Sequence, residues 1–455
     1  MSDPKMEVEY RTLQIGAAPL VKAILDRLGV VKAIDDALAY QPEITATYGE
    51  LAQAIVINRM SLVPKPLYEL KDWAGQCGID RLLGIEAEWL DDDRLGAMLE
   101  GLAKRQADIW GTIMGTAVET FKLELEWLHA DTTSVYFEGA YEDQNGQPKQ
   151  GENAPLLVKG YNKDGRPENV QYVLSLINHR HIPLWYKPWD GNQSDDRVYL
   201  ADLTALRQLG WLPENVVLIG DRKLCNQENL LQFCRTNQYF LGAHPWTDTA
   251  KEVWEQTYQE LQTGQRSWEE VEYVSRNQAS KAIEERTRHR VCEITRSLFD
   301  AEKQQQYELR WIFTWSSKKA EQDAQRRSRS LTTVEQALQR IARLLGRYDY
   351  KNRAIIQSRI DKVLAATKAK PYLQYTLSGT DKDQEWKLHW QTCPEAIARA
   401  EHCDGIMLLC ANVLGNRLST GAAMVKYKEQ VQVEQTIDFI KSPVQIRPMW
   451  LHSPQ

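Results

Sequence analysis

The stretch LHADTTSVYF, residues 128–137, decides how this chain is read, because it carries an acid where strand-forming residues should be burying side chains. Ahead of it, Leu123-Glu124-Leu125-Glu126-Trp127-Leu128 alternates apolar with mostly acidic residues. Behind the acid, Val135-Tyr136-Phe137 is β-branched or aromatic. Both flanks predict strand, over 123–130 and 133–138. Two readings of Asp131 stand side by side. It is a turn residue between two strands, since Asp-Thr-Thr is ordinary turn chemistry, or it is a carboxylate held on a rigid sheet for chemistry.

Length and composition bound the choice. A chain of 455 residues has room for two or three domains, each with its own core. With 26% charged and 43% hydrophobic residues it is globular rather than disordered. No apolar run approaches the roughly 18 residues of a membrane span, and MSDPKMEVEY lacks the basic and apolar regions of a secretory signal. The seven cysteines are scattered, with no Cys-x-x-Cys, which suits a reducing cytoplasm and argues against a disulfide framework. Cys393, His402, Cys403 and Cys410 match no zinc spacing. A cytoplasmic protein, with no membrane partner, is expected.

Net charge is −6, but it is unevenly spread. Lys318 to Lys370 holds fourteen Lys and Arg against five Asp and Glu, so an acidic chain carries one concentrated basic segment. That segment suits either a footprint for phosphate or a solvated helical arm.

Organisation changes along the chain. Residues 11 to about 115 have apolar positions at helical spacing, with Asp91-Asp92-Asp93 and Lys104-Arg105 as start and stop signals of one helix. From Leu123 to about Ala243, strands alternate with helices, and further strands are expected at 170–178, 216–220 and 239–243. Asp221 follows the buried run Val216-Val217-Leu218-Ile219-Gly220, at the carboxyl end of a strand, where ligand and catalytic groups of open α/β sheets collect. A plain strand-to-helix loop acid is its other reading. Residues 250–400 interrupt this pattern with strand-like pieces and long basic helices, as an inserted subdomain would. The pattern resumes at CDGIMLLCANV, 403–413. Finally, Tyr427 to Lys441 contains no Gly or Pro and predicts one helix. Tyr427, Glu434 and Lys441, spaced by seven, would lie on one stripe of it. Against this stands an amphipathic surface helix burying Val431, Val433, Ile437 and Ile440. His129, His179 and His181 are assigned no chemistry; the last two are expected at the surface of a hairpin.

Asp131, Asp221 and Glu434 together would supply the oxygen ligands that Mg²⁺ prefers. On these residues, and on ADTTSVYFEG, KGYNKDGRPENVQYVLSL, PWDGNQSD, LIGDRKLCNQENL and YKEQVQVEQTIDFIK in that order, the chain resembles the DDE transposases of bacterial insertion sequences. The narrower likeness is to the branch marked by Tyr-x2-Arg-x3-Glu-x6-Lys.

The resemblance implies an α/β fold: a ribonuclease-H-like mixed sheet with helices, a helical N-terminal domain over 1–118 for DNA binding, a catalytic core over 119–248 and 401–455, and an inserted α+β subdomain over 249–400. It implies Asp131, Asp221 and Glu434 as metal ligands for Mg²⁺, with Mn²⁺ able to substitute, and DNA phosphate contacts from Tyr427, Gln430 and Lys441. Gln430 stands where the signature has Arg, keeping hydrogen bonding and losing charge. The partners implied are double-stranded DNA, as terminal inverted repeats and target, and a second copy in a homodimer on that DNA in the bacterial nucleoid. No nucleotide cofactor is implied, and a hairpin at the cut end is an expectation of the branch. Relatives continue beyond the point where PMWLHSPQ ends this chain, so a shortened copy that binds element ends without cutting them is the alternative. A sequence-indifferent metal nuclease on the same kind of sheet is another. No G-x-G-x-x-G or G-x-S-x-G supports dinucleotide or serine-nucleophile chemistry.

Overall fold

The computed structural model describes residues 12–38, 46–139, 141–143, 145–148, 151, 154–275, 278–382 and 385–442. The last stretch of the chain, on which the expectation of a shortened C-terminus falls, lies outside the described residues. Two compact units divide the molecule: residues 1–240 with 428–455, and residues 241–427.

The first unit begins with helices α1 (Ala18–Arg27), α2 (Val30–Ala37), α3 (Tyr48–Arg59), α4 (Leu70–Cys77), α5 (Ile79–Leu83), α6 (Asp92–Lys104) and α7 (Gln106–Phe121). Local chemistry sets their ends. Thr47 and Glu50 close a reciprocal capping box on α3, and Asp91 accepts from the Arg94 amide at the start of α6. Gly49 lets α3 approach α2, since a Cβ there would lie 2.5 Å from the Val31 carbonyl oxygen. Indole hydrogen bonds tie α7 to the sheet region: Trp110 donates to the Leu184 carbonyl at 2.9 Å and Trp211 donates to that of Gly111 at 3.2 Å.

A mixed sheet follows. Strands β1 (Trp127–Phe137), β2 (Val170–His179) and β3 (Ile182–Trp189) form an antiparallel meander, and β4 (Val217–Gly220) joins the other edge of β1 in parallel. Helices α8 (Val198–Gln208) and α9 (Gln227–Arg235) alternate with these strands. The structure corrects the expected strand pair about Asp131: β1 is one continuous strand with Asp131 in its middle, paired with Leu176. The ladder to β2 runs from His129 to Phe137 without a break, so the Thr-Thr pair obeys its strand preference rather than its turn preference. The second strand of the expected hairpin is β3, whose bounds are hidden in the sequence because its two prolines and its tryptophans blur the alternation. Of the two hairpin histidines, His181 is exposed, whereas His179 is buried at the end of β2. His129 is buried as well.

In the second unit, β5 (Tyr239–Ala243) enters from the first and pairs through Leu241–Ala243 with β11 (Ile406–Ala411). Strands β6 (Glu269–Val271), β7 (His289–Asp300) and β8 (Gln305–Ser316) complete an antiparallel array in the order β5-β11-β8-β7-β6. Helix α10 (Asp248–Gln262) precedes it. The long helix α11 (Ser317–Leu344) packs with α12 (Arg353–Thr367) and with β9 (Leu373–Ser378) and β10 (Lys387–Thr392) around Leu338, Ile360 and Trp386. All the Lys and Arg of 318–370 are exposed except Arg327, which is bound by both carboxylate oxygens of Asp404 at 2.7 and 2.8 Å. Helix α13 (Pro394–His402) leads into β11. His402 stacks on Tyr258 and approaches Glu255 at 3.3 Å, and none of the seven cysteines forms a disulfide. Trp311 is buried core. Among the described residues no helix is long and apolar enough to cross a membrane.

Helix α14 (Thr420–Lys428) ends the second unit and α15 (Val431–Lys441) returns to the first. The expected single helix over 427–441 is therefore two. Gln430 turns its amide into the sheet and donates to the Ala130 carbonyl at 2.7 Å, a buried contact that a straight helix propensity does not encode.

Two glycines, Gly160 in the connection from β1 to β2 and Gly191 just after β3, allow close backbone approach. A Cβ on Gly191 would lie 2.0 Å from the Gln171 carbonyl oxygen, and one on Gly160 2.1 Å from that of Gly191. Backbone would have to move at either position. Gly191→Ala is expected to cost about 3 kcal/mol of unfolding free energy, the range of overpacked cores. Denaturant titration of the variant measures it, and an unchanged midpoint would show that the contact is loose.

Candidate active site

Register places the site. Asp131 and Leu176 are direct cross-strand partners, so their side chains share one face of the sheet. On that face Leu176 packs against Val433 and Ile437 of α15. Asn178, two residues along β2, donates to the Thr436 hydroxyl at 2.8 Å. The helix is thus docked by an apolar pair and by a buried amide–hydroxyl bond over the face that Asp131 occupies. Val433 and Ile437 are buried as expected, whereas Val431 is 44% exposed. Glu434 stands on the exposed side of α15.

Asp131 itself is mostly buried, with its side chain 21% exposed. Burial pushes its carboxyl up to about 6, from 3.8. The Lys163 ammonium and the Thr132 N–H, which donates to Oδ1 at 2.7 Å, pull the other way, and the charges of Asp221 and Glu434 add to the rise. Two acids, from the tip of β4 and from α15, therefore act on the carboxylate of β1. Asp221 accepts from the Tyr199 hydroxyl at 2.5 Å and from the Lys223 amide at 2.9 Å. Tyr199 is buried in α8, and burial together with Asp221 keeps its phenol well above its usual range. Glu434 is likewise raised, by burial and by Asp438.

Lys163, from the β1–β2 connection, reaches this cluster. Its ammonium donates to the Thr132 carbonyl and hydroxyl oxygens, each at 2.6 Å, and lies 3.3 Å from Asp195 and 3.9 Å from Asp131. Sequence reasoning named neither Lys163, Asp195 nor Tyr199. The first two lie in the quoted stretches KGYNKDGRPENVQYVLSL and PWDGNQSD, but nothing in either run says which charge turns toward Asp131.

The phosphate-contact candidates are placed as follows. Gln430 is buried and serves as a strut from α15 to β1. Lys441 is 7% exposed and holds both oxygens of Asp164, at 3.0 and 3.2 Å. Tyr427 is half-buried on α14, so the helix break takes it off the stripe that Glu434 and Lys441 keep on α15.

All the donors in the acid cluster are oxygens, which suits a hard divalent cation. Among the described residues no three His, Cys, Asp or Glu side chains are drawn together closely enough to ligate one ion. The donor chemistry fits a divalent cation, and the ligating distances are not closed in this arrangement. A cleft of about 1250 Å³ in the second unit is lined by Trp246, Arg326, Arg327, Lys368 and Arg399, among others, and contains none of the three acids.

Comparison with known proteins adds little. Residues 10–110 match a family model described as a domain of unknown function (DUF4277), which covers well under half of the chain. No curated protein matches in sequence. Solved structures returned by fold comparison include "Mos1 transposase paired-end complex with left transposon end", at 11% identity and TM-score 0.17, covering 52% of this chain and 62% of that one. Another is "Crystal structure of the Mos1 Strand Transfer Complex", at 12% identity and TM-score 0.17, covering 57% and 67%. The match spans less than two thirds of the first of these chains. At such a TM-score the superposition establishes neither a shared fold nor a shared activity.

The raised Asp131 gives a pH signature. Its folded value lies above its unfolded one, so the folded state binds the proton more tightly and stability falls as pH rises from about 4 to about 6. Asp131→Asn removes the charge and keeps the shape. In metal-free buffer the variant should be more stable than the parent by about 1–3 kcal/mol at about pH 8, the gain fading towards pH 4. Chemical denaturation across that range tests it; a gain that persists at pH 4 would assign it to something other than ionisation.

Proposed function

We propose that this chain is a DNA transposase of the DDE type, cutting and joining the ends of an insertion sequence on a ribonuclease-H-like core. The observation that carries the reading is the placement of Asp131 within β1, of Asp221 at the tip of β4, which pairs parallel to β1, and of Glu434 on α15, which Leu176, Val433 and Ile437 dock over the face that Asp131 occupies. The order of the meander, with β4 parallel to its first strand, supports the fold part of the reading. The basic exposure of α11 and α12 supports a nucleic-acid partner.

In this reading Asp131, Asp221 and Glu434 hold Mg²⁺, or Mn²⁺ in its place. When bound, the divalent cation supplies Lewis acidity and neutralises charge at the reacting phosphate. The protein's own side chains do the rest. Tyr199 fixes the orientation of Asp221 through its hydroxyl. Gln430 and the Leu176–Val433–Ile437 contact hold Glu434 over β1. Lys441 and Tyr427 contact the DNA backbone, and the N-terminal helices bind the element ends. Water hydrolyses a phosphodiester at the end of the element, and the freed 3′-hydroxyl then attacks a second phosphodiester. Two copies of the chain pair the two ends.

Cleavage of DNA carrying the flanking inverted repeats, with Mn²⁺, tests the proposal. Asp131→Ala, Asp221→Ala and Glu434→Ala should each reduce nicking at the repeat boundary by at least about a thousandfold, the scale of losing a group that stabilises the transition state. DNA binding in a gel shift should stay near the parent's. A variant that still cuts removes its residue from the site. Binding without cutting by the parent itself would mark a protein that only recognises element ends, and cutting indifferent to the repeats would mark a nuclease of another kind.

A further inference from the structure

The turn at residues 161–165 carries two adjacent residues of opposite charge, and each meets a different part of the site. Lys163 extends one way, and its ammonium sits in a sphere made only of oxygen: two from Thr132, one from Asp195 and one from Asp131, all within 3.9 Å. Oxygen coordination of that kind is what a hard cation takes. Asp164 extends the other way and presents both carboxylate oxygens to Lys441, at 3.0 and 3.2 Å, as a phosphate would.

The turn's root is fixed. The Gln171 amide, fully buried, donates to the Tyr161 carbonyl at 3.2 Å and to that of Gly191 at 2.9 Å, and accepts from Asn162 at 2.8 Å. Asn162 in turn accepts from the Asp164 amide at 2.8 Å. A swing of the long Lys163 side chain, or a rotation of the short Asp164 carboxylate, vacates the respective position. Lys163, at 28% side-chain exposure, has a path to solvent.

We propose that Lys163 and Asp164 form a two-sided electrostatic latch, in which the ammonium occupies the cation position beside Asp131 and the carboxylate occupies the phosphate position at Lys441. The inference rests on the acid site being a metal site. Binding of metal expels Lys163, and binding of a DNA phosphate expels Asp164.

The test measures binding and needs no turnover. Mn²⁺ titration of the full chain by calorimetry or electron paramagnetic resonance is run on the parent, Lys163→Gln, Lys163→Arg and Asp131→Asn. Lys163→Gln should tighten Mn²⁺ binding about tenfold, from loss of one nearby positive charge. Lys163→Arg, which keeps that charge, should not. In parallel, Asp164→Asn should tighten DNA binding without metal and steepen its salt dependence by about one phosphate contact. Adding Lys441→Ala should cancel that gain. Circular dichroism of each variant confirms folding, and the Asp164 arm stands by itself if Lys163→Gln does not fold.

Mn²⁺ binding that depends on Asp131 but is unchanged or weakened in Lys163→Gln would overturn the latch and leave the metal site standing. Unaltered DNA affinity and salt slope in Asp164→Asn would also overturn it. Absence of any Asp131-dependent Mn²⁺ binding, in the parent and in Lys163→Gln alike, would remove the metal site and the latch with it.

Discussion

The contact of Leu176 with Val433 and Ile437 governs the geometry of this site. Leu176 lies opposite Asp131 in the β1–β2 ladder, so whatever element covers Leu176 also covers the face bearing that carboxylate. The helix that does so comes from the far end of the chain, after a unit of nearly two hundred residues has intervened. Burying the three side chains fixes the rotation of α15, and with it the side on which Glu434 is displayed. A register slip of one residue would send Asp131 to the opposite face and leave Glu434 without it. The Asn178–Thr436 and Gln430–Ala130 hydrogen bonds add direction to a contact that is otherwise non-directional.

The acids themselves oppose this arrangement. Burial raises Asp131, and Asp221 and Glu434 raise it further, so the cluster of acids stores repulsion. Lys163 answers that repulsion from the β1–β2 connection, and Thr132 contributes its amide. Lys441 and Asp164 repeat the pattern a short distance along α15, with a buried ammonium held by a carboxylate. Two adjacent residues of one turn thus neutralise two parts of the candidate site.

Much of this was legible in the sequence. The helical N-terminal region, the strand ahead of Asp221 and the long basic helices were all readable from periodicity and cap chemistry, since those signals are local. The bounds of strand β3 were not, as Pro183 and Pro188 mask its period. Strand β7 was missed as well: its polar run Glu293 to Ser297 is half-buried or exposed, so it carries no apolar alternation. The break between α14 and α15 was hidden for a different reason. No Gly or Pro marks it, and a tertiary hydrogen bond from Gln430 holds it.

The sequence by itself determined which residues could do chemistry: oxygen-bearing acids at strand positions, in a chain lacking the Gly-rich and nucleophile-elbow signals of other reactions. Residue type and local period are properties of neighbours along the chain, so they can be read without a fold. Tertiary structure alone decided that Asp131 lies within one continuous strand, that Gln430 is a strut and that Lys163 and Asp164 turn toward Asp131 and Lys441. Those outcomes depend on partners tens to hundreds of residues away, whose burial and charge reorder local preferences that a single segment would otherwise follow.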